Sequence, residues 1–108
     1  MLRFPFNKRW PTSRERIDFL WELDNHCFWC GEITKNLHLS NGILPLDAAT
    51  IDHLFPENDI RRKYYINKRI QSPVVLSCHQ CNHDRNNEKL ETFAEKRNII
   101  LNLDKAHY

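Results

Sequence analysis

Residues Val74 to Asn87 read VVLSCHQCNHDRNN, and the way this stretch divides decides the fold. Pro73 to Cys78 is a short apolar, β-branched run that reads as a strand, and a turn of helix is expected after Cys81. Ala49 to Phe55 has the same strand composition, so the two runs are expected to pair. A further helix is expected over residues 88–103, where Leu90, Phe93, Ala94, Arg97 and Leu101 stand at helical spacing and Asn86 or Asn87 is placed to cap it. Upstream, Thr12-Ser13-Arg14-Glu15 has the spacing of a capping box, and Ile17, Leu20, Trp21 and Leu23 give an apolar stripe, so residues 12–25 are expected to form an N-terminal helix. Residues 31–47 are irregular, with Ser40-Asn41-Gly42 and Pro45 marking turns, and read as loop with short strand pieces at most. Two strands with flanking helices predict a small α+β domain.

The same stretch carries half of the cysteines. Cys78-His79-Gln80-Cys81 repeats the spacing of Cys27-Phe28-Trp29-Cys30, and the two pairs account for all four cysteines of the chain. Each C-x-x-C turn offers two thiolates to one ion while its backbone amides help neutralise their charge, which suits tetrahedral zinc. A single pair would also read as a redox motif; two pairs with no cysteine left over favour a structural zinc. Four thiolates close the coordination sphere, so this zinc is expected to hold the fold and do no chemistry. Trp29, inside the first pair, is expected to shield the ion, and Trp10 and Trp21 to serve as core or lid residues. His79 reads as a solvated spacer, and His26, His38 and His107 belong to no motif.

With 108 residues the chain reads as a single domain, near the lower end of what one hydrophobic core stabilises without help, so a metal staple has a clear use. No apolar run approaches the roughly 18 residues of a membrane span, and the start MLRFPFNKRWP lacks the apolar core of a signal peptide. A cytoplasmic protein with no membrane partner is therefore expected, and in that reducing compartment the cysteines are metal ligands or free thiols rather than disulfides. The net charge of +2 says little, but its distribution says more. Between Asn58 and Ser72, Arg61, Arg62, Lys63, Lys68 and Arg69 face the single acid Asp59, with Tyr64 and Tyr65 among them. Basic residues interleaved with aromatics suit a phosphate backbone; the plain alternative is a solvated loop.

Between the cysteine pairs lies Thr50 to Pro56, TIDHLFP, where Asp52 and His53 sit side by side in an apolar run. Adjacent strand residues point to opposite faces, so the two side chains must serve different surroundings. Alone, Asp52 would read as a surface acid and His53 as a hydrogen-bonded structural histidine.

Taken with CFWCG (Cys27 to Gly31) and VVLSCHQCNHDRNN, this block resembles the HNH endonucleases, whose ββα-metal fold sets a catalytic metal between a β-hairpin and a helix. TIDHLFP is similar to that family's D-H-x-x-P, and the last block to its strand followed by C-x-x-C-N-x-x-K-x-N. The three blocks stand in the family's order and span about half the chain. The resemblance implies a zinc-clamped core over residues 27–87, with Asp52 as a metal-binding carboxylate, His53 as the general base and Asn82 as a ligand of the same metal. Arg85 matches a basic residue that touches phosphate, and Asn87 a common polar position. His83, beside Asn82, is a weaker candidate ligand. Hard oxygen donors favour Mg²⁺ or Mn²⁺ there, with Ni²⁺ or Zn²⁺ open if His83 coordinates. One position departs from the pattern: the family's middle Asn, which helps hold the catalytic His, is here Pro73, leaving Ser72, Asn67 or Asn58 to take its place.

The activity implied is metal-dependent hydrolysis of DNA phosphodiester bonds, on double-stranded DNA, by a monomer that nicks or a weak homodimer that cuts both strands. Small free-standing members of this family are frequent in phages and mobile elements, which implies a bacterial or phage-infected cell. The main alternative is a non-catalytic, zinc-stabilised nucleic-acid-binding module. A purely structural adaptor leaves the basic segment and the Asp52-His53 pair unexplained.

Overall fold

The structure is a computed structural model that describes residues 1–7, 10–39 and 42–108; Ser40 and Asn41 of the expected turn lie outside them. Its elements are α1 (Ser13–Leu23), β1 (Ala49–His53), α2 (Ile60–Lys68), β2 (Val74–Cys78), α3 (His79–Arg85), α4 (Leu90–Arg97) and a 3-10 turn (Leu103–Lys105). The two strands form an antiparallel sheet, and with the four helices they make a small α+β domain, as expected. Among the described residues no helix is long and apolar enough to cross a membrane.

The capping box closes the start of α1. Thr12 Oγ1 accepts from the Glu15 N–H at 3.1 Å, and the Thr12 N–H donates to Glu15 Oε1 at 3.1 Å, so two donors at the helix start are satisfied. Thr12→Ala is expected to cost about 1 kcal/mol, read in a thermal melt as a fall of about 4–8 °C; an unchanged melt would show that the helix end is held by other contacts. α1 buries Leu20 and packs Ile17, Phe19 and Trp21 against Phe4, Ala49, Val74 and Leu76. Leu23, read as part of this stripe, is instead 60% exposed, because the helix ends there and Asp24 is extended.

β1 and β2 pair in the register Ala49↔Cys78 to His53↔Val74. Both faces of β2 are covered. Val74 and Leu76 join the core under α1, whereas Val75 joins a second core in which Trp29, Leu54, Phe55, Leu90, Phe93 and Ala94 gather beside the cysteines. The outer edge of β2 is closed by the chain's end: Val74 and His107 exchange backbone bonds of 2.8 and 2.9 Å, and residues 2–4 bond in turn to Ala106 and Tyr108. A covered edge is protected from pairing with another chain. His107, which belongs to no motif, is buried there against the rings of Phe4 and Phe19.

Several boundaries differ from the sequence reading. The first strand stops at His53, and Leu54 and Phe55 turn into the core. The C-terminal helix begins at Leu90 and stops at Arg97 rather than running over 88–103, because Asn98 takes a left-handed conformation (φ 53°) and its N–H closes onto Ala94 and Glu95. The β-branched pair Ile99-Ile100 that follows favours irregular or extended chain over helix. Asn86 and Asn87 do not cap α4; with φ of 43° and 65° they end α3, and Lys89 opens α4 with no side-chain cap. The basic segment is no loop but holds α2, whose first turn is capped by the buried Asp59 accepting from the Arg61 N–H at 2.9 Å.

Candidate functional site

The two C-x-x-C turns meet. The Sγ atoms of Cys27, Cys30, Cys78 and Cys81 lie within 4.8 Å of one another, and those of Cys30 and Cys78 are 4.0 Å apart. Zinc bound to four thiolates at about 2.3 Å holds them about 3.8 Å apart, so this cluster fits a structural zinc ion. In the first turn Gly31 donates to Cys27 O at 2.9 Å with φ of 76°, a backbone conformation glycine adopts without strain. Amide N–H groups of Trp29 and Cys81 donate to the sulfurs of Cys27 and Cys78, each at 3.4 Å, and Arg97 Nη1 donates to Cys81 Sγ at 3.8 Å. Burial pushes the Cys78 thiol up to about 11 and Cys81 higher still. Cys27 is buried too, yet the backbone N–H groups of Cys30, Cys78 and Trp29 together bring it below the ordinary thiol range. Thiols this crowded ionise together only when a cation neutralises them, which is what a zinc ion supplies.

Trp29 is buried in the core that borders the cysteines, and it has a further task. Its buried indole packs edge-on to Phe93 at 4.9 Å, lies under the guanidinium of Arg85, and donates from Nε1 to Asp52 Oδ2 at 2.9 Å. Asp52 is therefore a meeting point, since Arg85 Nη1 donates to the same oxygen at 3.0 Å. Two strand positions back on the same face, Thr50 Oγ1 accepts from Asn82 Nδ2 at 3.1 Å, and Ile51 O accepts from it at 3.0 Å. These bonds fix Asn82 of α3 over β1. Among the described residues, Oδ1 of Asp52 and Oδ1 of Asn82 accept no hydrogen bond, and both residues line one cleft of about 430 Å³ together with His53 and the exposed His83. A carboxylate oxygen and an amide oxygen are hard donors, a set that fits Mg²⁺ or Mn²⁺ with most of the ion's waters retained. Burial pushes the Asp52 carboxyl above its ordinary range, against the pull of Arg85.

His53, next along β1, faces the opposite way, toward α1 and α2. Burial first, and then the charges of Arg62, Arg16 and Arg85, bring its imidazole down to about 4, so it is neutral at neutral pH and in the form that accepts a proton. Pro73, where the HNH pattern that the sequence resembles would have Asn, is buried, and its carbonyl accepts from the Leu54 N–H at 2.9 Å. It therefore holds the backbone beside His53 rather than the ring. Of the three substitutes considered, Ser72 lines a cavity with His53, while Asn58 and Asn67 are exposed on the surface.

The basic residues divide. Arg85, expected at a phosphate, is 2% exposed, and its donors are committed: Nε to Glu88 O at 3.0 Å, Nη1 to Asp52 and to His53 O at 2.7 Å, and Nη2 to Leu54 O at 2.7 Å. It ties the end of β1 to the α3–α4 connection, so a phosphate finds little of it to touch. Arg61 is likewise taken, by Asp59 and Glu91, with its guanidinium over the Phe55 ring at 4.6 Å. Arg62 is half-buried, lines the cleft and has no internal ion-pair partner among the described residues. Lys63, Lys68 and Arg69 are exposed.

The sequence reading passed over Arg16. It is buried beneath α1 on the His53 side, and its spacing of four from the buried Leu20 was the available signal that it faces inward. No protein-family model matches this chain, and no curated protein and no solved structure is significantly similar to it.

Proposed function

We propose that the chain is a metal-dependent HNH endonuclease that hydrolyses DNA phosphodiester bonds. One observation carries the reading: Asp52, His53 and Asn82, the last about thirty residues further along the chain, all line one cleft, with unbonded oxygens on the first and last and a neutral His53 at its edge. Asp52 Oδ1 and Asn82 Oδ1 are the atoms that would hold Mg²⁺ or Mn²⁺. Once bound, such an ion supplies charge stabilisation at the scissile phosphate and the leaving 3′ oxygen. His53 is the group that takes a proton from the attacking water: burial keeps it neutral at neutral pH and so free to accept, although the same burial makes it a weaker base than an imidazole that titrates near neutrality. Arg62 meets the phosphate at the mouth of the cleft, and Lys63, Lys68 and Arg69 extend a positive surface along the DNA backbone. The zinc, by fixing the cysteine turns at the start of α3, keeps Asn82 over β1. One such site cuts one strand, so a monomer nicks and a homodimer would be needed to cut both.

A second reading, a zinc-stabilised nucleic-acid-binding module without catalysis, draws on a specific feature: Arg85 and Trp29 already share Asp52 Oδ2, and the His53 ring has no orienting bond among the described residues. Supercoiled plasmid separates the two. With Mg²⁺ or Mn²⁺ the wild-type protein is expected to nick, EDTA to stop it, and His53→Ala to slow it by on the order of a hundredfold or more while plasmid binding persists. Binding without nicking in either metal, or full-rate nicking by His53→Ala, would sink the proposal.

A further inference from the structure

Behind His53 a second cavity of about 380 Å³ opens between α1, α2 and the residues leading into β2. Among the described residues four side-chain polar atoms are buried with no hydrogen-bond partner: Arg16 Nε, Gln71 Oε1, Ser72 Oγ and Glu88 Oε2. Arg16, Gln71 and Ser72 all line this cavity. Buried polar atoms are rarely left unpaired in native structures, so three just beneath the wall of one open cavity mark side chains that gain partners by turning toward a polar group bound there. Their chemistry is mixed. Arg16, 8% exposed and bonded only weakly to Ser13 Oγ at 3.5 Å, offers donors to an anion, as does the neighbouring Arg62. Gln71 Oε1 wants an N–H donor. The remaining wall is apolar, and Trp10 there is 51% exposed and Ile66 63%, flat surface that water alone would not cover favourably.

Anionic oxygen, N–H donors and a flat aromatic face belong together in a nucleotide. We propose that this cavity takes one unpaired nucleotide of the bound strand, with its phosphate against Arg16 and Arg62, its base stacked on Trp10, and an amino group of the base on Gln71. The proposal rests on the nuclease reading for its placement beside the cleavage cleft. It also names the substrate class: a base still paired in a duplex cannot enter, so the preferred substrate is a single strand, a flap or a mismatch, and an intact duplex must first splay a nucleotide out.

Binding in EDTA tests this without any cleavage. A fluorescein-labelled single-stranded hexanucleotide, followed by anisotropy, is expected to bind more tightly than a fully paired hairpin. Trp10→Ala is expected to weaken it about tenfold, in line with the stacking of a base on an aromatic ring. Arg62→Gln, at a half-buried side chain that leaves the fold alone, and Gln71→Leu, which removes the acceptor offered to the amino group of the base, should each weaken it by a similar factor. Wild-type affinity in all three variants, or displacement of the hexanucleotide by inorganic phosphate as readily as by unlabelled strand, overturns the nucleotide site. Should plasmid be nicked while Trp10→Ala binds normally, the cavity proposal falls and the nuclease stands. Trp10-dependent binding with no nicking in either metal has the opposite meaning: it supports the nucleotide cavity and removes the nuclease.

Discussion

Cys78→Ser is expected to empty the zinc site and unfold the chain. Cys78 ends β2 opposite Ala49, caps α3 by accepting from the Cys81 N–H, and places its sulfur 4.0 Å from that of Cys30. A serine hydroxyl does not ionise at neutral pH and so gives zinc no anionic ligand in exchange. A structural zinc is worth about 10–16 kcal/mol of apparent binding free energy, against a total stability of about 5–15 kcal/mol for a domain. Losing it therefore removes as much as the whole margin. The wild-type protein is expected to release one zinc ion per chain to a colorimetric chelator on denaturation, and the variant almost none. Its circular dichroism should lose helix, as should wild type treated with a strong chelator. A Cys78→Ser protein that is zinc-free and still folded would show that the two hydrophobic cores suffice and that the cysteine cluster is not the staple.

The features legible in the sequence are those set by neighbours in the chain. The capping box at Thr12, the two strand runs and the paired cysteines are short-range signals, and each element formed close to where they lie. Strand alternation also told that Asp52 and His53 must face different ways, and they do, one toward α3 and the other toward α1. What each side chain meets there was not legible, because the partners come from afar. Asp52 is held by Trp29 and Arg85, residues on either side of it in the chain and far from it. Arg61 is paired with Glu91, which the sequence places on another helix altogether, so composition could count it among the basic residues but could not show that its charge is already partnered. The end of α4 escaped for a subtler reason: Leu101 continued the apolar spacing, and only the left-handed turn at Asn98 breaks the helix. Asparagine tolerates that conformation, but nothing local requires it.

Arg85 is the residue at which sequence and structure assign different physics, and a variant decides between them. By its motif it is a phosphate contact; by its position it is a buried cation with one carboxylate and three backbone carbonyls as acceptors. Arg85→Met keeps the length and apolar bulk of the side chain while removing every one of those donors. Breaking a buried ion pair by deleting one partner costs about 3–5 kcal/mol, because the other charge stays behind unpaired. For a chain of this size that corresponds to a fall in melting temperature of more than about 10 °C. Arg85→Lys should recover little, since one ammonium cannot reach the acceptors that a planar guanidinium spans. Asp52→Asn in the Arg85→Met background should regain part of the loss, as the stranded carboxylate disappears and the amide oxygen still accepts from Trp29. The coupling between the two sites is expected at about 0.5–3 kcal/mol. A surface phosphate contact predicts the reverse pattern: a melting temperature within about 2 °C of wild type, with DNA affinity lowered uniformly and its salt dependence reduced by about one phosphate. Thermal melts of wild type, Arg85→Met, Arg85→Lys, Asp52→Asn and the double variant, set beside their DNA titrations at two salt concentrations, therefore separate a residue that holds Asp52 and the end of β1 in place from one that holds DNA.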